Sequence, residues 1–149
     1  MFDRIKHRLA SEQGFTLIEL LVVIVILGIL VAIAVPSYLS FRGSAQVAAA
    51  KSNVRSAIPA AESYYQNNTT NPSSYTGVTG TALRTQAPGV SPNVRAVALG
   101  TGGAGYCVED TEGQSTYDYI GGSATPTTGF SLATIQSGSC SDAVGTAAT

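Results

Sequence analysis

Hydrophobic and polar positions divide this chain into three stretches. From Leu20 to Val35 no polar or charged side chain interrupts the apolar run, and the 21 residues from Phe15 to Val35 carry one charge, Glu19. As a helix rising 1.5 Å per residue, that segment extends about 31 Å, close to the roughly 30 Å hydrocarbon core of a bilayer. Its apolar residues form no stripe, so it needs lipid or protein on every side.

Beyond Pro36, Tyr38 and Phe41 suit a membrane interface and Arg42 sets a charged boundary. The pattern then turns amphipathic. Val47, Ala50, Val54, Ile58, Ala61 and Tyr65 recur three and four apart, while Gln46, Lys51, Asn53, Arg55, Glu62 and Gln66 take other faces. One helix, kinked at Pro36 and again at Pro59, is expected from Phe15 to Tyr65. Asn67-Asn68-Thr69-Thr70-Asn71-Pro72 stops it.

The rest is punctuated by turn residues. Residues 72–93 read as an irregular connection with a short helical turn over Thr81–Gln86, and Asn93–Leu99 as a strand. Tyr106–Asp110 and Ser115–Ile120 form a hairpin around Thr111–Gln114, Phe130–Ile135 adds an edge strand, and Ser141–Thr149 reads as a loose tail. A sheet of three or four antiparallel strands laid on the amphipathic helix would bury Val54, Ile58 and Ala61, an α+β architecture.

Composition narrows the chemistry. The 149 residues suit one domain with an appended segment. With 11% charged residues and a net charge of −1, there is no basic surface to neutralise a row of phosphates, which argues against a dedicated nucleic-acid site. From residue 56 onward Arg84 and Arg95 face Glu62, Glu109, Asp110, Glu112, Asp118 and Asp142, a net of −4. Four of those acids, Glu109, Asp110, Glu112 and Asp118, cluster as calcium ligands do. EF-hand spacing is missing, however, and they read as a solvated edge that discourages strand pairing between molecules, with no metal site. Asn67-Asn68-Thr69 and Asn68-Thr69-Thr70 match the N-glycosylation acceptor pattern.

The two cysteines, Cys107 and Cys140, are 33 positions apart, which fits neither a zinc pair nor a redox motif. A disulfide formed in an oxidising compartment fits better, with two unpaired buried thiols as the alternative. Closing that loop would stabilise the fold by about 4 kcal/mol in the chain-entropy picture.

Glu19 is the informative residue. An acid well inside hydrocarbon costs a few kcal/mol and calls for a partner, and no basic residue lies near it on the helix. One partner is the α-amino group made by cutting after Gly14 in a neighbouring copy; a snorkelling acid near a helix end is the plainer reading. Gly28 and Ala32 could be a small-residue pairing face, and Pro36 a simple exit marker. Ala32-Ile33-Ala34 imitates a secretory cleavage site. Arg4, Lys6 and Arg8 outnumber Asp3 and Glu12, which keeps the N-terminal end cytoplasmic.

The run from Gly14-Phe15-Thr16-Leu17-Ile18-Glu19 through Gly28 to Pro36, nearly continuous over residues 14–42, resembles the class III signal of type IV prepilins and pseudopilins. The resemblance implies that residues 1–14 are a leader removed by prepilin peptidase after Gly14, and that the new N-terminal Phe15 is methylated. It implies that Glu19 and Phe15 serve assembly and that Gly28 and Pro36 loosen the helix. Residues 15–36 would be the transmembrane and filament-core helix, 37–66 its amphipathic half, and 67–149 a head whose C-terminal region Cys107 and Cys140 enclose. The implied partners are other copies in a helical filament, the pilus assembly platform with its ATPase machinery, and the cytoplasmic membrane of the precursor. No cofactor is implied. A major type IV pilin for adhesion, surface motility or DNA uptake is expected. The alternatives are a type II secretion pseudopilin, a minor tip pilin and a membrane-anchored binding module that never polymerises. Catalysis is not expected, because the single histidine, His7, leaves with the leader and Gly100–Gly105 lacks the lysine and helix of a phosphate loop.

Overall fold

The computed structural model describes residues 15–125 and 131–144. The chain divides into two compact units, Met1–Phe41 and Arg42–Thr149. One helix, α1 (Leu17–Asn67), contributes to both, and its helical assignment continues through Pro36 and Pro59. Each proline removes one backbone donor; beside the first, the Ser37 hydroxyl donates to the Ile33 carbonyl at 3.3 Å.

In the N-terminal unit, the large apolar side chains from Leu17 to Phe41 are exposed all round. The most apolar 18-residue window of α1 has a mean hydropathy of 3.2, long and apolar enough to cross a membrane.

In the C-terminal unit the same helix becomes one-sided, burying Ala50, Val54, Ala57, Ala60 and Ala61. After it come α2 (Gly80–Gln86), β1 (Arg95–Leu99), β2 (Gly105–Glu112), β3 (Ser115–Gly122), β4 (Gln136–Ser137) and α3 (Cys140–Val144). The four strands pair antiparallel in the order β1-β2-β3-β4. Thr79 caps α2, its hydroxyl oxygen accepting from the Ala82 amide at 3.2 Å. Strand alternation then sorts the two faces. Ala96, Tyr106 and Val108 join Val54, Ala57, Ala60 and Ala61 in the main core, while Leu99, Cys107, Ile120, Ala124 and Cys140 make a smaller cluster on the other face.

Several expectations need correction. Ile58 is only half-buried, and Ala57 and Ala60 take the central positions. Both are legal helical spacings, but buried rings of Tyr75 and Tyr106 already supply volume at this interface, so alanine lets the helix lie close to the sheet. The hairpin is longer than expected and its loop shorter: Glu112 pairs with Ser115, leaving Gly113 and Gln114. Gly113, at φ 62°, stands where tight hairpin loops need glycine. Phe130–Ile135 is not an edge strand over its described part. Ala133 turns left-handed at φ 57°, Leu132 makes one parallel bridge to Ile120, and pairing resumes only at β4; Phe130 lies outside the described residues. The tail is partly helical: in α3, Ser139 and Asp142 cap each other reciprocally, with the Ser139 hydroxyl donating to Asp142 Oδ2 at 2.6 Å and the Asp142 amide to Ser139 Oγ at 3.3 Å.

Candidate functional site

The apolar segment begins with a built helix start. The Thr16 hydroxyl oxygen accepts from the Glu19 amide at 3.2 Å, its carbonyl accepts from the Glu19 and Leu20 amides at 3.1 and 3.2 Å, and its hydroxyl donates to Glu19 Oε2 at 3.4 Å. Glu19 thus stands three residues past an N-cap threonine, in the first turn, where a carboxylate meets unpaired N–H groups and the positive end of the helix dipole. Phe15 precedes the cap and is 78% exposed. A Cβ added at Gly28 would touch nothing, so packing within the chain does not require glycine there. Gly14 and the residues expected to form a leader, 1–14, lie outside the described residues.

In the C-terminal unit polar side chains gather at two places. On the core side, Glu62 receives two phenols: the Tyr75 hydroxyl donates to Oε2 at 2.9 Å and the Tyr106 hydroxyl to Oε1 at 3.0 Å. Rings of Tyr65, Tyr75, Tyr106 and Tyr119 follow one another with centroids 4.7, 4.5 and 6.1 Å apart. Burial, reinforced by the Glu62 charge, pushes the Tyr75 and Tyr106 phenols well above the ordinary tyrosine range. The Lys51 ammonium lies 4.8 Å from the Tyr117 ring centroid.

The four clustered acids are split by strand alternation and are not a solvated edge. They lie on the two central strands, and Asp110 and Asp118 are fully buried. Asp110 and Glu112 share the Asn53 amide, at 3.2 and 3.1 Å, and Glu112 also accepts from Asn93 at 3.0 Å. Glu109 and Asp118 stand directly opposite each other on the other face. Burial raises both the Asp110 and the Asp118 carboxyl; the Asn53 and Gln136 hydrogen bonds respectively oppose it, and the neighbouring Glu112 and Glu109 add to it. Among the described residues no three His, Cys, Asp or Glu side chains converge where they could hold a metal ion. Cys107 and Cys140 are joined in a disulfide, both fully buried. Of the two acceptor-pattern asparagines, Asn68 is buried, its amide donating to the Ser74 and Thr76 carbonyls at 2.9 and 3.2 Å. The Asn67 amide donates to Ser63 and Gln86.

Comparison with known proteins bears on the first of these regions. Residues 9–35 match the family model described as "Prokaryotic N-terminal methylation motif". The chain is 41% identical over 78 residues to a "Fimbrial protein" of Neisseria meningitidis, covering 52% of this chain and 45% of that protein. It is 42% identical over 54 residues to a "Type IV major pilin protein" of Myxococcus xanthus, covering 36% of this chain and 24% of that protein. It is also 42% identical over 68 residues to "Type II secretion system core protein G" of Pseudomonas aeruginosa, covering 46% of this chain and 48% of that protein. The N-terminal segment is thus similar to those of type IV pilins and of a type II secretion core protein, and it carries the N-terminal methylation motif. It spans less than half the length of each of these relatives. No solved structure matches it.

Within this chain, sequence reasoning placed Glu19 correctly in the apolar helix and missed its local partner, Thr16, although the T-x-x-E spacing before an apolar run is a recognised helix-start signal. It also took Glu62 for an ordinary polar-face residue. Nothing in the spacing of Glu62, Tyr75 and Tyr106 announces their meeting; only the helix-on-sheet packing brings them together.

Proposed function

We propose that this chain is a type IV pilin, the major structural subunit of a type IV pilus. It is held as a single-pass precursor in the cytoplasmic membrane, cleaved after Gly14 by prepilin peptidase, methylated at Phe15, and delivered by the assembly platform and its ATPase into an extracellular helical filament. The observation that carries this reading is the exposed apolar surface from Leu17 to Phe41. In the precursor lipid covers that surface; in a fibre neighbouring copies of the same helix do. Identical copies joined through unlike surfaces give an open helical polymer when the rotation does not close. Gly28, which no internal contact requires, and Pro36, which lacks a donor, are where the helix can loosen on assembly. The disulfide enclosing the C-terminal region favours a pilus that works outside the cell in adhesion, surface motility or DNA uptake.

The test is intact mass and N-terminal sequencing of protein sheared from cells. A chain starting at methylated Phe15 in the fibre fraction supports the proposal; full-length chain confined to membranes refutes it and favours an anchored binding module. The likeness to a type II secretion core protein supports a second reading, a secretion pseudopilus. Deleting the gene separates the two: loss of surface fibres with secretion intact fits the pilus, and loss of secretion fits the pseudopilus.

A further inference from the structure

The outer face of the sheet carries one straight polar row. Arg95 on β1 pairs with Glu109 on β2, Glu109 with Asp118 on β3, and Asp118 with Gln136 on β4, so the four side chains share a face. Asp118 and Glu109 of that row hold the segment that carries β4. Gln136 Nε2 donates to Asp118 Oδ2 at 3.2 Å, and the same side chain grips Ser131 through its amide nitrogen and carbonyl, at 3.0 and 3.4 Å. The Cys140 amide donates to Glu109 Oε2 at 2.6 Å. Cys140 is also tied to Cys107 in the adjoining row, so besides the backbone bonds from Ala133 to Ile120, from Gly138 to Thr116 and along β3–β4, the flap Ser131–Val144 is fastened by one covalent bond and two carboxyl groups.

The two carboxyl groups are in conflict. Asp118 has no exposed surface, and its Oδ1 finds no hydrogen-bond partner. Glu109, directly opposite, is 8% exposed and already committed to Cys140. An ionised Asp118 would be a buried charge with half its lone pairs empty beside another anion. Among the described residues no compensating cation is at hand. From α3 comes another acid, Asp142; β4 offers only Gln136 and Ser137; Arg95 stands two strands away, next to Glu109. Lys51 of α1 lies over Tyr117, whose side chain points to the other face. Residues 126–130 contain no ionisable side chain.

We propose that Asp118 is a proton-operated latch: protonated, it lets the flap close over it beside Glu109, and on losing its proton to solvent it must be hydrated, a demand that outweighs its stronger bond to Gln136 and opens the part of the flap around Gln136. The disulfide keeps Cys140 tethered throughout, so opening is local. Closure therefore takes up a proton. Because the carboxyl is raised in the closed form, closure is most favourable near and below the ordinary aspartate value of about 3.9 and weakens as pH rises through the raised value. This inference does not depend on whether the chain polymerises.

The experiment is hydrogen exchange of the full chain in detergent micelles, followed in peptides from Ser131–Val144 between pH 4 and 8 and expressed as protection factors corrected for intrinsic rate. Opening that releases one proton makes protection fall by about tenfold per pH unit until Asp118 titrates, and Asp118→Asn should remove that slope. Protection independent of pH in the native chain, or an unchanged slope in Asp118→Asn, would overturn the latch. Should the variant not fold, a carboxyl-carbon titration of the native chain by NMR decides: an Asp118 midpoint above the usual carboxylate range supports the latch, and one within it refutes it.

Discussion

Glu62 and Tyr106 are joined across the helix–sheet interface, a fully buried phenol donating at 3.0 Å to a carboxylate on the helix. Tyr75 donates to the other oxygen of the same carboxylate. Removing Glu62 therefore strands two hydroxyls at once, whereas removing one hydroxyl leaves Glu62 with the second. Since a buried group left unpaired costs about 1–3 kcal/mol, Glu62→Ala should destabilise by roughly 2–4 kcal/mol, and Tyr106→Phe by about half of that. Denaturant unfolding of the full chain in micelles measures both. Equal losses would show that ring packing, and not the shared carboxylate, sets the stability here.

The same carboxylate shapes the alkaline limb. Burial and Glu62 raise the Tyr75 and Tyr106 phenols in the folded state. Their contribution is fully present below the ordinary tyrosine value of about 10 and is lost as pH rises above it. In a spectrophotometric titration these two tyrosines should ionise only with unfolding, after the exposed ones. With Glu62→Gln the charge contribution is gone, and their ionisation should move toward that of the others.

The central hairpin, the apolar helix and the disulfide were legible because each rests on local information: strand alternation, an uninterrupted apolar run, and two cysteines. The acids were not. Asp110 and Asp118 read as surface residues by type, and only their placement on the two middle strands of a four-stranded sheet buries them. Ile58 was misplaced because a three-four pattern admits two neighbouring faces, and the choice between them depends on tyrosines from elsewhere in the chain.

Asp110 gives a separate check on buried charge. Its carboxyl is raised chiefly by burial, with Glu112 adding and the Asn53 amide opposing. The ionised form thus weighs against folding at neutral pH, and the native chain should gain stability as pH falls from the raised value toward about 4. Asp110→Asn cannot make that gain. The melting-temperature difference between variant and native chain should therefore shift in favour of the native chain on acidification. A difference constant from pH 7 to pH 4 would mean that Asp110 titrates normally.

Gly121 is a packing glycine. A Cβ there would run into the ring of Tyr106, which is fully buried and bonded to Glu62 and so cannot easily move aside. Gly121→Ala should cost about 1–3 kcal/mol, the usual penalty for overpacking a core. Gly28→Ala, where the added carbon meets nothing within the chain, should leave the folded unit unchanged in thermal melts. A defect of Gly28→Ala confined to fibre yield would locate the need for glycine between subunits or in the loosening of the helix.

Glu19 has two claims on its carboxylate that one substitution cannot separate. Its backbone and side chain both meet Thr16 at the helix start, and the proposed fibre gives it the α-amino group of a neighbouring Phe15. Glu19→Ala removes both and should insert and be processed normally while assembling poorly. Glu19→Gln is the decisive variant, since its amide oxygen still accepts from the Thr16 hydroxyl while the negative charge is gone. If the ion pair drives assembly, Gln should yield as few sheared fibres as Ala, and Thr16→Val, which loses the cap and keeps the charge, should yield many more. If helix capping is what matters, the order reverses. Quantitative blotting of the sheared and membrane fractions from the three strains reads the order directly, and fibre yield from Glu19→Gln equal to that of the native chain would remove the charge from the assembly mechanism.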